Sequence, residues 1–306
     1  MGVIKESKAK TYTFVAFNIR LHPHDKKGIY IDFFNFLQKS QLFSHTGYKY
    51  NVIGVDQQKF EPYDDRQNIF LGRFIRYTNI YDAKWYNTEK DEVELKEDLK
   101  DLIQVPNNLK LDGTIFDFMF LLDPHILIVQ VDNDETATTA NTIGKYFKKV
   151  FKNEDFIKKF KDGEITPICQ SKDVKILLEN PRLKFIEYII RRPNADLFAD
   201  LIEAEVLADM EESNSEEYRF QMEAQNGKFL NLSDRVKEIG EISADNGEIN
   251  ALEVPTDSSR YKKISTKGIP LQEPITLPTT LTAKEKWKSI LLKLKPKVKK
   301  LSQINP

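Results

Sequence analysis

The stretch from Thr114 to Val131 limits the fold most. It is the most apolar block in the chain, interrupted by Asp123-Pro124-His125, whose residues favour a turn. Phe116 to Leu122 and Ile126 to Val131 remain on either side, and they predict two adjacent strands largely buried on both faces.

The neighbouring segments predict elements of both kinds. Lys10 to Leu21 reads as a strand, with Thr11, Thr13, Phe14, Val15, Phe17 and Ile19 β-branched or aromatic. Gly28 to Lys39 spaces Ile29, Phe33, Phe36 and Leu37 as a helix does. Tyr48 to Val55 and Asn68 to Tyr77 predict strands, and Asp91 to Ile103 a helix with Leu95, Leu99 and Leu102 on one face. Helices follow over Glu135 to Lys152 and Asp155 to Lys161. Strands follow over Glu164 to Gln170 and Arg182 to Arg191, with a short helix between them. Beyond Pro193-Asn194 the pattern gives a helix from Ala195 to Glu212 and a strand at Tyr218 to Glu223. A helix at Leu230 to Ile239 comes next, then a turn at Asp245-Asn246-Gly247 and a strand at Glu248 to Val254. Pro270, Pro274 and Pro278 suggest an extended connector, and a last helix begins near Thr282. Together these predict an α+β fold with a mixed central sheet flanked by helices. The segments are a core at 1–194, a smaller α+β portion at 195–280 and a basic amphipathic helix with its tail at 281–306.

With 40% hydrophobic residues among 306, the chain has material for a core. Cys169 is the sole cysteine, so neither an internal disulfide nor a cysteine cage for a metal is available. That suits a reducing, cytoplasmic setting. No apolar run reaches the ~20 residues of a membrane helix, so no membrane insertion is expected. Met1-Gly2-Val3-Ile4-Lys5-Glu6-Ser7 places Glu6 where N-myristoylation needs Ser or Thr.

The net charge of -1 conceals a partition. Residues 281–306 hold eight lysines and one glutamate, about +7, which leaves about -8 for the rest. Asp196, Asp200, Glu203, Glu205, Asp209, Glu211, Glu212, Glu216 and Glu217 concentrate the acid, as a solvated face or as a dock for a basic segment. On the helix from Glu135, Lys145, Lys148, Lys149 and Lys152 share one face, opposite Ile143, Phe147, Val150 and Phe151. Lys158, Lys159 and Lys161 lie just beyond, and Arg191-Arg192 could extend the patch. Such a face is either ordinary solvated surface or a phosphate contact that positions nucleic acid without reading bases. In the last segment Thr282-Ala283-Lys284-Glu285 is a capping box. Trp287, Ile290, Leu291 and Leu294 form an apolar stripe, and Pro296 stops the helix before Lys297, Lys299 and Lys300. Docking on its own domain, binding nucleic acid or a partner, and lying on a membrane surface all fit that pattern.

Several motifs imitate catalytic sites. Val129 to Val131 followed by Asp132, Asp134 and Thr136 matches the opening of haloacid-dehalogenase-like phosphohydrolases, where two aspartates work beside Mg²⁺. Ile165 to Ser171 could imitate the second motif of those enzymes, but no later acidic pair completes the site. Helix capping by Asp134 or Thr136 is the plainer explanation. His22-Pro23-His24-Asp25 carries a His-x-His pair whose possible companions are His45 and His125. Asp117 could open a restriction-type nuclease site, although the next strand lacks acid-x-Lys. Cys169 sits in an apolar strand and makes no nucleophile pair.

Arg182 to Arg192 followed by Pro193-Asn194-Ala195-Asp196 resembles an uncharacterised bacterial domain family found in phage-defence neighbourhoods. Asp245-Asn246-Gly247-Glu248-Ile249 and the stretch from Ile264-Ser265-Thr266 to Pro270 carry the same resemblance, over roughly residues 10 to 275. The block from Phe116 to Lys152 is also similar, in element order, to the Rex-type phage-exclusion protein. The resemblance implies a sequence-tolerant, non-catalytic DNA binder that acts as a dimer, and it brings no active site to carry over. The expectation is therefore an antiviral component that binds DNA or RNA, forms a homo-oligomer and needs no cofactor. One alternative is a Mg²⁺-dependent phosphohydrolase or nuclease using Asp132 and Asp134. The other is a protein-interaction subunit contacting a defence-system partner.

Overall fold

The computed structural model describes residues 9–22, 28–40, 42–46, 51–62, 68–80, 83–94, 103–106, 108–133, 136–191, 201–257, 260–298 and 301. Its large sheet contains β1 (Ala9–His22), β2 (Phe43–Thr46), β3 (Asn51–Pro62), β4 (Ile69–Thr78), β7 (Leu111–Leu121), β8 (Ile126–Gln130), β11 (Asp162–Pro167) and β16 (Glu273–Pro278). The order is β11-β1-β8-β7-β4-β3-β2. Strand β1 is long enough to hold two partners along one edge. Phe17 to His22 pair with β11, and Ala9 to Phe14 pair with β16. Two small ribbons stand apart: β5 (Tyr86–Asn87) with β6 (Glu92–Val93), and β9 (Asp132–Asn133) with β10 (Thr136–Ala137). A second sheet has the order β13-β12-β14-β15, from β12 (Leu183–Arg191), β13 (Glu217–Glu223), β14 (Gly247–Glu253) and β15 (Lys262–Ser265).

Side-chain alternation along the strands builds two cores from one sheet. On one face Val15, Phe17, Ile19 and Leu21 of β1 join Phe116, Phe118 and Phe120 of β7 and Leu127 and Val129 of β8. Helices α1 (Ile29–Ser40), α2 (Ala140–Phe151) and α3 (Glu154–Phe160) cover that face with Phe33, Phe34, Phe147 and Phe156. On the other face Phe14, Ala16, Met119, Leu121, Ile126 and Ile128 pack under helix α7 (Ala283–Leu294). The apolar block therefore does give two adjacent strands buried on both sides. Each fully buried side chain of this size contributes about 1.5–3 kcal/mol.

The second sheet is covered by α4 (Ser171–Leu178), α5 (Leu201–Glu212) and α6 (Asp234–Asn246). Their Val174, Leu177, Val206, Met210, Ile239 and Ile242 meet Ile186, Tyr188 and Ile190 of β12. The two sheets join where the even-numbered face of β1 turns polar. Asn18 and Arg20 are buried there against the end of α6. The Arg20 guanidinium donates to the Asn246 carbonyl at 2.8 Å and to Thr166 Oγ1 at 2.9 Å, and pairs with Glu164 at 2.8 Å. Asn246 in turn donates to the buried Glu203 at 2.8 Å. Burial lowers the Arg20 pKa, and Glu164 opposes that shift. Gly247 allows the helix end to press on β12, because a Cβ there would lie 1.9 Å from the Ile189 carbonyl oxygen.

The fold is α+β, as expected, and every described ladder is antiparallel. Strands β8 and β11 run the same way but are separated by β1, so α2 and α3 complete a split crossover. Strand β12, within the 1–194 segment, belongs to the second sheet, and β16, within 195–280, belongs to the first.

Several local readings need correction. Residues 92–93 form strand and not the start of a helix, and 95–102 lie outside the described residues. The helix expected from Glu135 starts at Ala140, because Thr136 is held in a ribbon with Asn133. The strand expected at Glu164 to Gln170 ends at Pro167, so Cys169 follows it. The helix expected at Leu230 to Ile239 is displaced to Asp234–Asn246, and it absorbs two of the three turn residues. The proline connector is an edge strand, a place where missing N–H groups cost little.

Candidate nucleic-acid interface

Helix α2 is capped by Thr139, whose hydroxyl accepts from the Thr142 N–H at 3.1 Å. Ile143, Tyr146, Phe147 and Val150 are buried against the sheet, which turns Lys145, Lys148, Lys149 and Lys152 to the surface. Lys148 and Lys149 lie in the last turn, where positive charge suits the helix dipole. No Asp or Glu occurs from residue 136 to 153. Among the described residues Lys145, Lys148 and Lys152 make no ion pair, while Lys149 donates to the Phe43 carbonyl at 2.9 Å. Asn153 caps α3 by accepting from the N–H groups of Asp155 and Phe156. Lys158 lies 3.9 Å from Glu154 and 3.7 Å from Asp155, and Lys159 covers the rings of Phe36 and Phe160. These pairs are exposed and weak, so both lysines keep their contact with water.

The other expected basic positions are spent inside the molecule or fall outside the described residues. Arg191 pairs with Glu164 at 2.9 Å and approaches Glu217 at 3.7 Å. Lys297 pairs with Glu273 at 2.6 Å. Arg192, Lys299 and Lys300 lie outside the described residues. The acidic segment is likewise partly used within its own unit: Glu205 pairs with Arg235 at 2.9 Å, and Glu217 with Arg191 and Arg219.

The capping box at Thr282 is present, and the Trp287 stripe is buried on the large sheet. Trp287 meets Phe14 edge-on at 5.8 Å. The helix therefore docks on its own chain, away from the acidic helix α5, whose Val206 and Met210 belong to the other core. Lys286 anchors it. Its ammonium donates to Gln130 Oε1 at 2.8 Å, lies 3.7 Å from Asp117 and sits 4.3 Å above the Tyr12 ring. Partial burial lowers the Lys286 pKa, while Asp117 and Asp132 oppose the shift.

Asp132 has a structural partner too: its carboxylate accepts the Thr13 N–H at 2.7 Å. Asp134 lies outside the described residues, and Thr136 is strand, so Thr139 is the residue that caps the helix. Among the described residues no three His, Cys, Asp or Glu side chains gather as a metal site requires. His24 and Asp25 lie outside the described residues. Cys169 is buried, its thiol facing the Thr266 carbonyl at 3.3 Å, and burial pushes its pKa up to about 12.

Sequence reading missed a cleft of about 260 Å³ beside the lysine face. Leu42, Phe43, Tyr146 and Val150 line it together with the exposed Lys149 and Lys152. Its walls come from β2 and α2, about a hundred residues apart, so no local run of sequence signals it.

A family model described as a domain of unknown function, DUF4747, matches residues 10–295. The chain belongs to that family. The match spans both sheets and helix α7, so the C-terminal helix is part of the family domain. None of the curated proteins compared matches the chain. Among the described residues no helix is long and apolar enough to cross a membrane.

Proposed function

We propose that the lysine face of α2 and α3 binds the phosphate backbone of nucleic acid with little sequence preference, as a binding component and not a catalyst. One observation carries this reading: among the described residues Lys145, Lys148 and the C-cap Lys152 are exposed and make no ion pair, and α2 carries no carboxylate. Lysine is a point charge on a flexible stem, so it neutralises phosphates without demanding a base pattern. The packed side of α2 keeps the face rigid, which limits the entropy lost on binding. The setting we assign, bacterial antiviral defence in the cytoplasm, draws on the sequence resemblance.

Fluorescence anisotropy with labelled DNA and RNA at low salt tests the reading. Affinity should fall with a log–log salt slope of about -0.9 per phosphate neutralised on a duplex. Lys145→Glu, Lys148→Glu, Lys149→Glu and Lys152→Glu, made together, should abolish the complex. A wild-type chain that binds neither DNA nor RNA at low salt refutes the proposal. A quadruple variant that binds normally moves the site elsewhere.

A further inference from the structure

A free sheet edge offers unpaired N–H and C=O groups to any other strand, and chains guard such edges with short strands, lysines, prolines or bulges. Most edges of the two large sheets follow that rule. β15 has four residues and begins with Lys262 and Lys263. β2 also has four, and Lys149 lies on its Phe43 carbonyl. β11 ends in Pro167, and β16 carries Pro274 and Pro278. β13 differs. It has seven residues with no lysine, proline or bulge, and among the described residues no strand lies along its outer side.

The hydrogen-bond pattern tells which groups that edge offers. Just past β13 the Ala224 N–H donates to the Lys184 carbonyl of β12 at 2.8 Å. Inward and outward groups alternate along an antiparallel ladder, so Tyr218, Phe220 and Met222 point their backbone groups inward with Ala224. Glu217, Arg219, Gln221 and Glu223 point theirs outward. Side chains alternate as well: Phe220 and Met222 are partly exposed on the helix-covered face, and Arg219, Gln221 and Glu223 are exposed on the open one.

A second copy of this strand satisfies the edge in one register. With the strands antiparallel about a two-fold axis at Gln221, outward groups meet outward groups. Arg219 then faces Glu223 of the second copy, twice, and Phe220 faces Met222 on the other side of the sheet, an aromatic–thioether contact. An axis at Phe220 would oppose Glu217 to Glu223, and one at Arg219 would oppose two arginines, both unfavourable. Axes at Tyr218 or Met222 pair little of the strand, and axes between residues set outward groups against inward ones.

We propose that the chain forms a two-fold dimer in which β13 pairs with β13 of a second copy, joining the two smaller sheets into one. This surface does not rest on the nucleic-acid reading.

Light scattering after gel filtration tests it. The wild-type chain should elute at twice the mass of one chain. Glu223→Arg sets arginine against Arg219 at both ends of the interface, and Arg219→Glu sets glutamate against Glu223, so each variant alone should be monomeric. Mixed, with one of them affinity-tagged, the two should form a heterodimer, because opposite charges then meet at both positions. Its recovery also shows that both variants fold. Where either folds poorly, Gln221→Lys places like charges on the axis and should raise the dimer Kd severalfold. A monomeric wild type overturns the proposal. So does a dimer that survives both single substitutions, a mixture of folded variants that stays monomeric, or an unchanged Kd for Gln221→Lys.

Discussion

Helices α2 and α7 are near twins in sequence terms, and they end in opposite roles. Each has twelve residues, a threonine N-cap, an apolar stripe and several lysines. They cover opposite faces of the same sheet. On α7 the sheet presents Gln130 and Asp117 to Lys286 and the Thr276 carbonyl to Lys293, while just past the helix Glu273 pairs with Lys297. On α2 the neighbouring strand is β2, which presents the Phe43 carbonyl to Lys149 and leaves Lys145, Lys148 and Lys152 in water. Counting lysines in a segment does not measure the charge available to a ligand. What the opposing strand offers decides it.

The largest expected break in this comparison is Ile290→Ala. Ile290 of α7 is fully buried against the large sheet, so truncation should cost about 2–5 kcal/mol of stability, read from urea unfolding. Nucleic-acid affinity of the folded protein should not change, and a parallel loss of affinity would show that the two helices do not act separately. The reverse pattern is expected of the four-lysine charge reversal on α2. Each exposed site should alter stability by no more than about 0.5 kcal/mol, while nucleic-acid binding is lost.

Cys169 provides a probe of which core opens. Its thiol pKa is raised from 9.0 to about 12, chiefly by burial. The stability this lends is complete below pH 9.0 and is lost as pH rises towards about 12, because the unfolded thiol ionises first. Native protein should therefore resist iodoacetamide at mildly alkaline pH. Ile290→Ala should speed the labelling, since Ile168, next to Cys169, belongs to the α7 core. The lysine reversal should leave the rate unchanged.

The smallest effects concern the caps. Thr139→Ala and Thr282→Ala should each cost about 1 kcal/mol. Their acid dependence should differ. Thr282 hydrogen bonds hold the Glu285 carboxyl below its usual 4.5, so the Thr282 contribution is present above that value and fades as pH falls through the lowered one. At the same position of α2 stands Thr142, so the Thr139 contribution should show no matching fade. Chemical denaturation at neutral and acidic pH distinguishes the two.

Much of the fold was legible in the residues. The split apolar block, the β1 run, the Thr282 box and the Pro296 stop all matched the elements formed, because each depends on interactions within a few residues. Errors fell where strand pairing overrode helical or loop preference. Thr136 was drawn into a ribbon with Asn133, and the prolines of β16 were recruited by the free edge of β1. Of the candidate interface, the lysine face followed from helical spacing. The cleft did not, because Phe43 and Tyr146 are far apart along the chain.

The sequence by itself determined the alternation that buries β7 and β8 on both faces, the register of lysines on α2, and the charge partition between body and tail. Short-range periodicity and composition are properties of the chain alone. Only the tertiary structure decided which charges remain free. Arg20 is consumed at the junction of the sheets, Lys286 and Lys297 are consumed under the last helix, and Asp132 is taken by a backbone N–H of β1. Three of those pairings link residues more than a hundred positions apart and the fourth, Lys297 with Glu273, joins the end of the last helix to an edge strand, and such proximity arises only once the strands have found their order.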